Sequence, residues 1–479
     1  MNMYLLPFVC VIFLGCRFSA GQVSGNRKLE PAFLSDKQTV HPELKGVWKS
    51  IGNGYLLDAT NDRMALYSYT KSYCYKEKKG YWTQLLHSTA LFSRKGDTLH
   101  LYLHDYGEKT TELQARKIFV RIRALPGGCT ELSALQQNDP VFLFDLFLET
   151  LECNYAFARE RDLNWANIRK QYQTSISAAT SLEELFQRMG EVVSMTKDQH
   201  TKIIAKDGRK HQYAVTPSAK RVWEAFEKQN AIENSHEYFD LFFETNYKNI
   251  SDSLLLGQGK KVANGKIEWG FVKEDIGYIH IHSLTGFASP ALPRKQHMDS
   301  LNFSMQEIMK ALRDTKALIV DISFNFGGYD AAGLTIASYF TKETVQAYTL
   351  HTYYGGEFYE TSTFNVIPAT ETYSKPVYLL TTDISRSAAE TFAMQMKALP
   401  HVTLVGSRTL GILSNMLGKN IGGFYLTCSN GKYESTEGAV YEVNGVEVDI
   451  PREVFSSETI LQGHMEAVRS IVKLIESKE

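Results

Sequence analysis

PVYLLTTDISRSAAETFAMQMKAL, residues 376–399, holds a complete strand–turn–helix unit. Val377 to Thr381 is a nearly continuous apolar run behind Pro376, the pattern of a strand buried on both faces. Helical spacing takes over from about Ser387 to Leu399. Between the two lies Ile384-Ser385-Arg386-Ser387-Ala388-Ala389-Glu390, which sets a serine at a helix N-terminus. Free backbone N–H groups and the helix dipole favour negative charge at such a place. Ser385 and Ser387 can therefore be read as helix caps or as a nucleophile with an oxyanion-binding amide beside it.

The same alternation continues on either side. Gly277 to His282 is a strand, Ser304 to Arg313 a helix, Ala317 to Ile322 an apolar strand, Asp330 to about Phe340 a helix, and Val402 to Val405 a strand. Such a series predicts a largely parallel α/β core over residues 266–479, covered on both faces. Ligands of open α/β sheets bind beyond the carboxyl ends of the strands, which singles out two more segments. Asn325-Phe326-Gly327-Gly328 follows one strand, and paired glycines let backbone approach a ligand closely. Asp198-Gln199-His200-Thr201 precedes the strand-like Lys202-Ile203-Ile204 and offers His200 as a base. His280 and His282 have His-x-His spacing on a strand, where they are expected together on an exposed face. With no third ligand nearby, neither a metal nor another cofactor is predicted.

Upstream the pattern changes. Residues 138–205 form a helical segment: Phe144, Phe147, Leu148, Leu151 and Tyr155 share one apolar face, and Leu182, Leu185, Met189 and Val193 another. Ser181 before Glu183-Glu184 marks a helix start. Residues 206–265 are mixed and polar, helical around Ala219 to Lys228. Residues 44–125 contain short alternating stretches, such as Arg63 to Tyr69 and Thr98 to His104, that predict a small antiparallel β-domain ending at the Pro126-Gly127-Gly128 turn. The predicted class is multidomain α+β, as a length of 479 residues also suggests.

Residues 1–21 read as a signal peptide, with Met3 to Leu14 as its apolar stretch, although the first residues carry no Lys or Arg. Leu14-Gly15-Cys16 offers an alternative, a lipoprotein leader ending at residue 15 and a lipid anchor at Cys16. Residues 22–43 form a polar linker, and no later segment has transmembrane length. The chain is thus expected to be exported, whether periplasmic, extracellular or an outer-membrane-associated lipoprotein. Outside the leader, Cys74, Cys129, Cys153 and Cys428 allow three pairings or free thiols; Cys74 with Cys129 would tie the β-domain to its exit loop. Lys+Arg 52 against Asp+Glu 53 leaves a formal charge of -1, which excludes an electrostatic nucleic-acid binder.

Taken in order, the motifs resemble the C-terminal processing (tail-specific) protease family, particularly its tricorn-like and retinoid-binding-protein-like branch. They are D-x-H-T at Asp198–Thr201, G-Y-I at Gly277, D-x-x-x-N-x-G-G at Asp321–Gly328, S-A-x-E at Ser387–Glu390, V-G-x-x-T-x-G at Val405–Gly411 and G-V-x-x-D-I at Gly445–Ile450. The resemblance runs from Phe142 to Leu474 and implies a ClpP/crotonase-like core. It implies Ser387 as nucleophile and an oxyanion hole from Ala388 with Gly328 or its neighbour Gly327. A lysine of the family's Ser-Lys branch would stand at Ile412; Lys419 is the nearest one. The tricorn-like branch uses a histidine and a glutamate, matched here by His200 and Glu442. Its serine before the histidine is replaced by Gln199.

Arg386 and Asn325 are the candidate substrate contacts, Arg386 also being readable as a solvent-exposed side chain. No PDZ-like insertion is recognisable between His200 and Gly277. The implied activity is that of an exported serine endopeptidase acting on peptides or unfolded protein tails. The alternative is a non-catalytic carrier of apolar ligands on the same fold.

Overall fold

The computed structural model describes residues 30–32, 39–61, 64–78, 90–103 and 116–478. The expected leader, with Cys16, and most of the expected linker lie outside these residues. Strands β1 (Glu30–Pro31), β2 (Val47–Ser50), β3 (Tyr55–Asp58), β4 (Ala65–Tyr69), β5 (Cys74–Lys76), β6 (Ala90–Lys95), β7 (Thr98–Leu103) and β8 (Lys117–Ile122) form one antiparallel sheet. Its order is β1-β6-β7-β8-β2-β3-β4-β5. Alternation puts Trp48, Leu57, Leu99, Leu101 and Phe119 in its core. A Cys74–Cys129 disulfide ties β5 to the exit loop, while Cys153 and Cys428 are buried free thiols.

Three helices follow: α1 (Pro140–Asn154), α2 (Trp165–Gln173) and α3 (Leu182–Met195). Asp139 caps the first through the amides of Val141 and Phe142, and Ser181 caps the third in a reciprocal box with Glu184. The predicted apolar faces are buried except for Leu182, which sits in the first turn of α3 and is exposed. These helices do not form a core of their own. Leu148, Leu151, Leu185 and Met189 pack in one cluster with Trp48 and Phe119 of the N-terminal sheet and with Leu417 and Leu426 from the far end of the chain.

Beyond α3 come β9 (Lys202–Ile204), β10 (Lys210–Gln212), α4 (Pro217–Glu227) and α5 (Ser235–Lys248), the last running into a π-helical turn at Asn249–Leu254. Helix α5 was not legible in the sequence because only Tyr238, Phe242 and Asn246 of its residues are buried. Strands β11 (Lys260–Val262), β12 (Ile267–Lys273), β13 (Ile276–Ile281), β14 (Ala317–Asp321), β17 (Val377–Thr381), β18 (Val402–Gly406) and β22 (Ile450–Pro451) make a sheet in that order, parallel from β13 onward. Helices α6 (Arg294–Leu312), α7 (Asp330–Ala337), α8 (Ala388–Lys397) and α9 (Gly463–Glu476) accompany it.

Strands β15 (Val345–Tyr354), β16 (Glu357–Val366) and β21 (Gly431–Ser435) form a three-stranded sheet. Strands β19 (Met416–Ile421) and β20 (Phe424–Ser429) join β9 and β10 in another, ordered β10-β9-β20-β19. Helix α6 is longer than predicted, beginning directly after Pro293. The expectation of an exposed His280–His282 face is corrected. His280 is buried because β13 is an interior strand, and its ring packs among Tyr247, Phe324 and the half-buried His282. Among the described residues no group of three or more His, Cys, Asp or Glu side chains is placed to hold a metal, and no helix is long and apolar enough to cross a membrane.

Candidate active site

Strand β17 ends at Thr381, and the chain turns sharply before α8. Ser385 makes that turn: its hydroxyl accepts from Thr382 N at 3.1 Å and donates to Ile322 O at 2.7 Å, fully buried. Ser387 is different. It occupies the N-cap of α8 with φ 58° and ψ -128°, a backbone region that side chains with a Cβ rarely enter. Such a conformation costs about 1–3 kcal/mol and persists only where its surroundings over-determine it.

They do so here. Ser387 N donates to Ile412 O and to the Glu390 carboxylate, each at 3.1 Å, and Arg386 N donates to Asn325 O at 3.1 Å. Gly327 lies against this elbow. A Cβ on it would come within 2.7 Å of Arg386 O and 2.8 Å of Ser387 Cβ, so no larger residue fits. Asn325, a candidate substrate contact, is corrected to a loop-shaping residue. It is fully buried, donates from Nδ2 to Ile281 O at 2.8 Å and accepts Gly327 N at 2.7 Å. That last bond also occupies the Gly327 amide. The N–H groups of Gly328 and Ala388 have no hydrogen-bond acceptor among the described residues.

The Asp198–Thr201 loop is built by its aspartate. One Asp198 oxygen accepts His200 N and the other Thr201 Oγ1, both at 2.8 Å, and Thr427 Oγ1 of β20 donates to His200 O at 2.7 Å. Register does the rest: β9 pairs with β20, Lys202 opposite Thr427, so the histidine is carried onto the C-terminal half. His200 Nε2 lies 3.1 Å from Ser387 Oγ. Burial holds the imidazole below its ordinary value, Asp198 pulls it up, and Lys202 and Arg386 push it down.

Glu442 does not touch the histidine. Its carboxylate accepts Leu413 N at 2.7 Å and Ser414 N at 2.9 Å and pairs with Arg161 at 3.2 Å. The backbone of Ser414 in turn lies beside the His200 ring and favours its proton, as a carbonyl acceptor does, although Nδ1 forms no bond of full hydrogen-bond geometry. Burial pushes Glu442 up to about 8 against the opposing pull of Arg161 and the amides. Glu390, the last position of the S-A-x-E motif, is a second buried carboxylate that takes up this segment. It accepts Thr409 Oγ1 at 2.6 Å, Gly411 N at 2.7 Å and Ile412 N at 2.8 Å, and burial raises it to about 7.

The remaining candidates fall elsewhere. Lys419 is not near the serine elbow's partners: its ammonium donates to Asn53 O and Gly54 O of the N-terminal sheet, both at 2.7 Å. Arg386 is half-buried rather than solvent-exposed. Its Nη1 donates to Gln199 Oε1 at 2.8 Å and its guanidinium stacks 4.2 Å from the Phe326 ring centroid. Gln199 therefore serves Arg386, not His200. Arg161, whose Nη1 also holds Lys197 O at 2.8 Å, carried no signal in the sequence.

Residues 275–452 match the model of peptidase family S41, so the α/β part of the chain carries a serine-type peptidase domain. Ser387, Glu390 and Glu442 lie inside that span, and His200 before it. The crystal structure of a Parabacteroides merdae protein described as a peptidase shares the fold. It has 22% identity and a TM-score of 0.55, covering 70% of this chain and 96% of that one. Mature CPAF complexed with lactacystin is similar at 12% identity, 72% and 100% coverage and a TM-score of 0.49. The tricorn protease is similar at 14% identity, 88% and 43% coverage and a TM-score of 0.42.

Proposed function

We propose that the chain is an exported serine endopeptidase of the tricorn-like kind, with a ClpP/crotonase-like core, that cuts peptides or unfolded protein tails. The observation that carries this reading is the 3.1 Å contact between His200 Nε2 and Ser387 Oγ at a strained helix N-terminus. In the mechanism, His200 takes the Ser387 proton as Oγ attacks the scissile carbonyl carbon. The carbonyl oxygen becomes an oxyanion, received by the N–H groups of Ala388 and Gly328. Collapse of that intermediate expels the amine, which takes the proton from His200. Water then repeats the sequence on the acyl-enzyme and frees Ser387.

Glu442 acts on His200 through the backbone of Ser414, the intermediary that replaces a direct carboxylate–imidazole bond. Export is supported by the Cys74–Cys129 disulfide, since such bonds persist in oxidising compartments. The test is labelling by a fluorophosphonate with the modified residue located by mass spectrometry. Modification of Ser387, and loss of peptide hydrolysis in folded Ser387→Ala, are expected. Labelling at another serine moves the nucleophile, and a folded protein that neither labels nor hydrolyses is a carrier of apolar ligands instead.

A further inference from the structure

Arg386 immediately precedes the proposed nucleophile, and everything that fixes its guanidinium is neutral. Gln199 Oε1 takes one N–H at 2.8 Å, and Phe326, itself 47% exposed, offers its ring face at 4.2 Å. A guanidinium has five donors in a planar fork, so most of this fork is left for something else. Lys202, two residues after His200 on β9, lies within electrostatic reach of both His200 and Arg386 and is also half-buried. Neither cation forms an ion pair among the described residues. The nearby carboxylate of Glu390 is committed to Thr409 and to the amides of Ser387, Gly411 and Ile412.

Asp198 acts on Lys202 and Glu390 on Arg386 only from a distance, and two partly desolvated cations without an ion-pair contact are costly. Burial lowers the proton affinity of both; for Lys202, Lys210 and Arg386 lower it further and Asp198 opposes them. A structural arginine at this depth would be expected to face a carboxylate. An arginine held in place by an amide oxygen and an aromatic face, with its fork open, is preorganised for an anion that arrives with the substrate.

We infer that Arg386, seated on Phe326 and Gln199 and supported by Lys202, is a specificity subsite for a substrate carboxylate close to the scissile bond. The inference rests on the peptidase reading above. It gives the substrate class as peptides presenting an acidic side chain, or their own free C-terminus, beside the cut.

The experiment uses the full chain and internally quenched peptides that differ only in Glu, Gln or Lys at the positions flanking the cut, each with a free or an amidated C-terminus. The wild-type enzyme is expected to prefer the carboxylate over its neutral isostere by about tenfold or more in kcat/KM, the worth of one charge-assisted bond. Lys peptides should be cut slowest. A preference that follows Glu over Gln regardless of amidation identifies a side chain; one that vanishes on amidation identifies the terminus. Arg386→Gln should bring the ratio close to one, and Arg386→Lys should restore part of it. A merely structural arginine would slow both peptides together and leave their ratio unchanged, which overturns the inference. Equal cutting of Glu and Gln, free and amidated, by the wild-type chain overturns it without any variant and leaves the peptidase reading standing. Failure to cut any peptide overturns both.

Discussion

Glu390 and Glu442 divide four consecutive backbone amides between them. Glu390 accepts those of Gly411 and Ile412, Glu442 those of Leu413 and Ser414. The strut so gripped faces both ends of the Ser–His contact: Ile412 O receives Ser387 N, and the Ser414 backbone lies beside His200. Two buried carboxylates thus set the relative position of Ser387 and His200 without touching the imidazole.

Replacing either grip is expected to loosen that geometry. Glu442→Gln keeps one oxygen for the Leu413 and Ser414 amides but turns an amide N–H2 toward Arg161 where an accepting oxygen stood. Its kcat should fall about 10²-fold or more, the scale of a misplaced general base, with KM little changed. Glu390→Gln should act similarly through Ser387. Steady-state kinetics alongside circular dichroism checks both; unchanged kcat in a folded variant removes the strut from the mechanism.

The pH dependence has two opposed parts. His200 must be neutral to accept a proton, and burial lowers its folded value, so kcat/KM should reach its plateau with an acid limb centred below 6.5. The same depression makes its stability contribution present above the unfolded value and lost as pH falls through the folded one. The glutamates have the reverse sign. With folded values of about 7 and about 8 against an ordinary 4.5, their contribution is complete below 4.5 and lost as pH rises through the folded values. Chemical denaturation between pH 5 and about 8 should show a downward slope that is shallower in Glu390→Gln.

Ser387 stores backbone strain that glycine would not. Ser387→Gly should abolish hydrolysis while stabilising the fold by about 1 kcal/mol, read as a higher denaturation midpoint. A destabilised variant would mean that the hydroxyl contributes more than the strain costs.

Gly327 has the opposite requirement. A methyl group there meets Arg386 O and Ser387 Cβ and must adopt φ 94°. Gly327→Ala is expected to cost about 1–3 kcal/mol in stability. It should also lower kcat about 10²-fold through the displaced serine elbow and oxyanion loop.

The parallel sheet was legible because its strands are short apolar runs between helical periods, a pattern fixed by burial on both faces. The serine elbow, the glycine loop and the histidine loop were each visible as residue types at element ends. What joins them was not. Glu390 stood only as the last position of the S-A-x-E motif, Asn325 as a candidate substrate contact, and Arg161 carried no signal. Their roles come from backbone amides, carbonyls and a carboxylate supplied by other segments of the chain, and no periodicity reports where such groups point. The shared core of Trp48, Leu185 and Leu426 was hidden for the same reason, since each local pattern records that a face is buried but not against what.

The pairing of β9 with β20 has one more consequence. It closes a loop between distant parts of the chain, so that the base enters from residue 200 while the serine comes from a domain matched only from residue 275. Under the proposed mechanism the functional unit is larger than the recognisable domain. Shuffled or excised along the limits of that domain, the segment would carry its serine, its oxyanion loop and its two glutamates into a new protein and leave the proton acceptor behind.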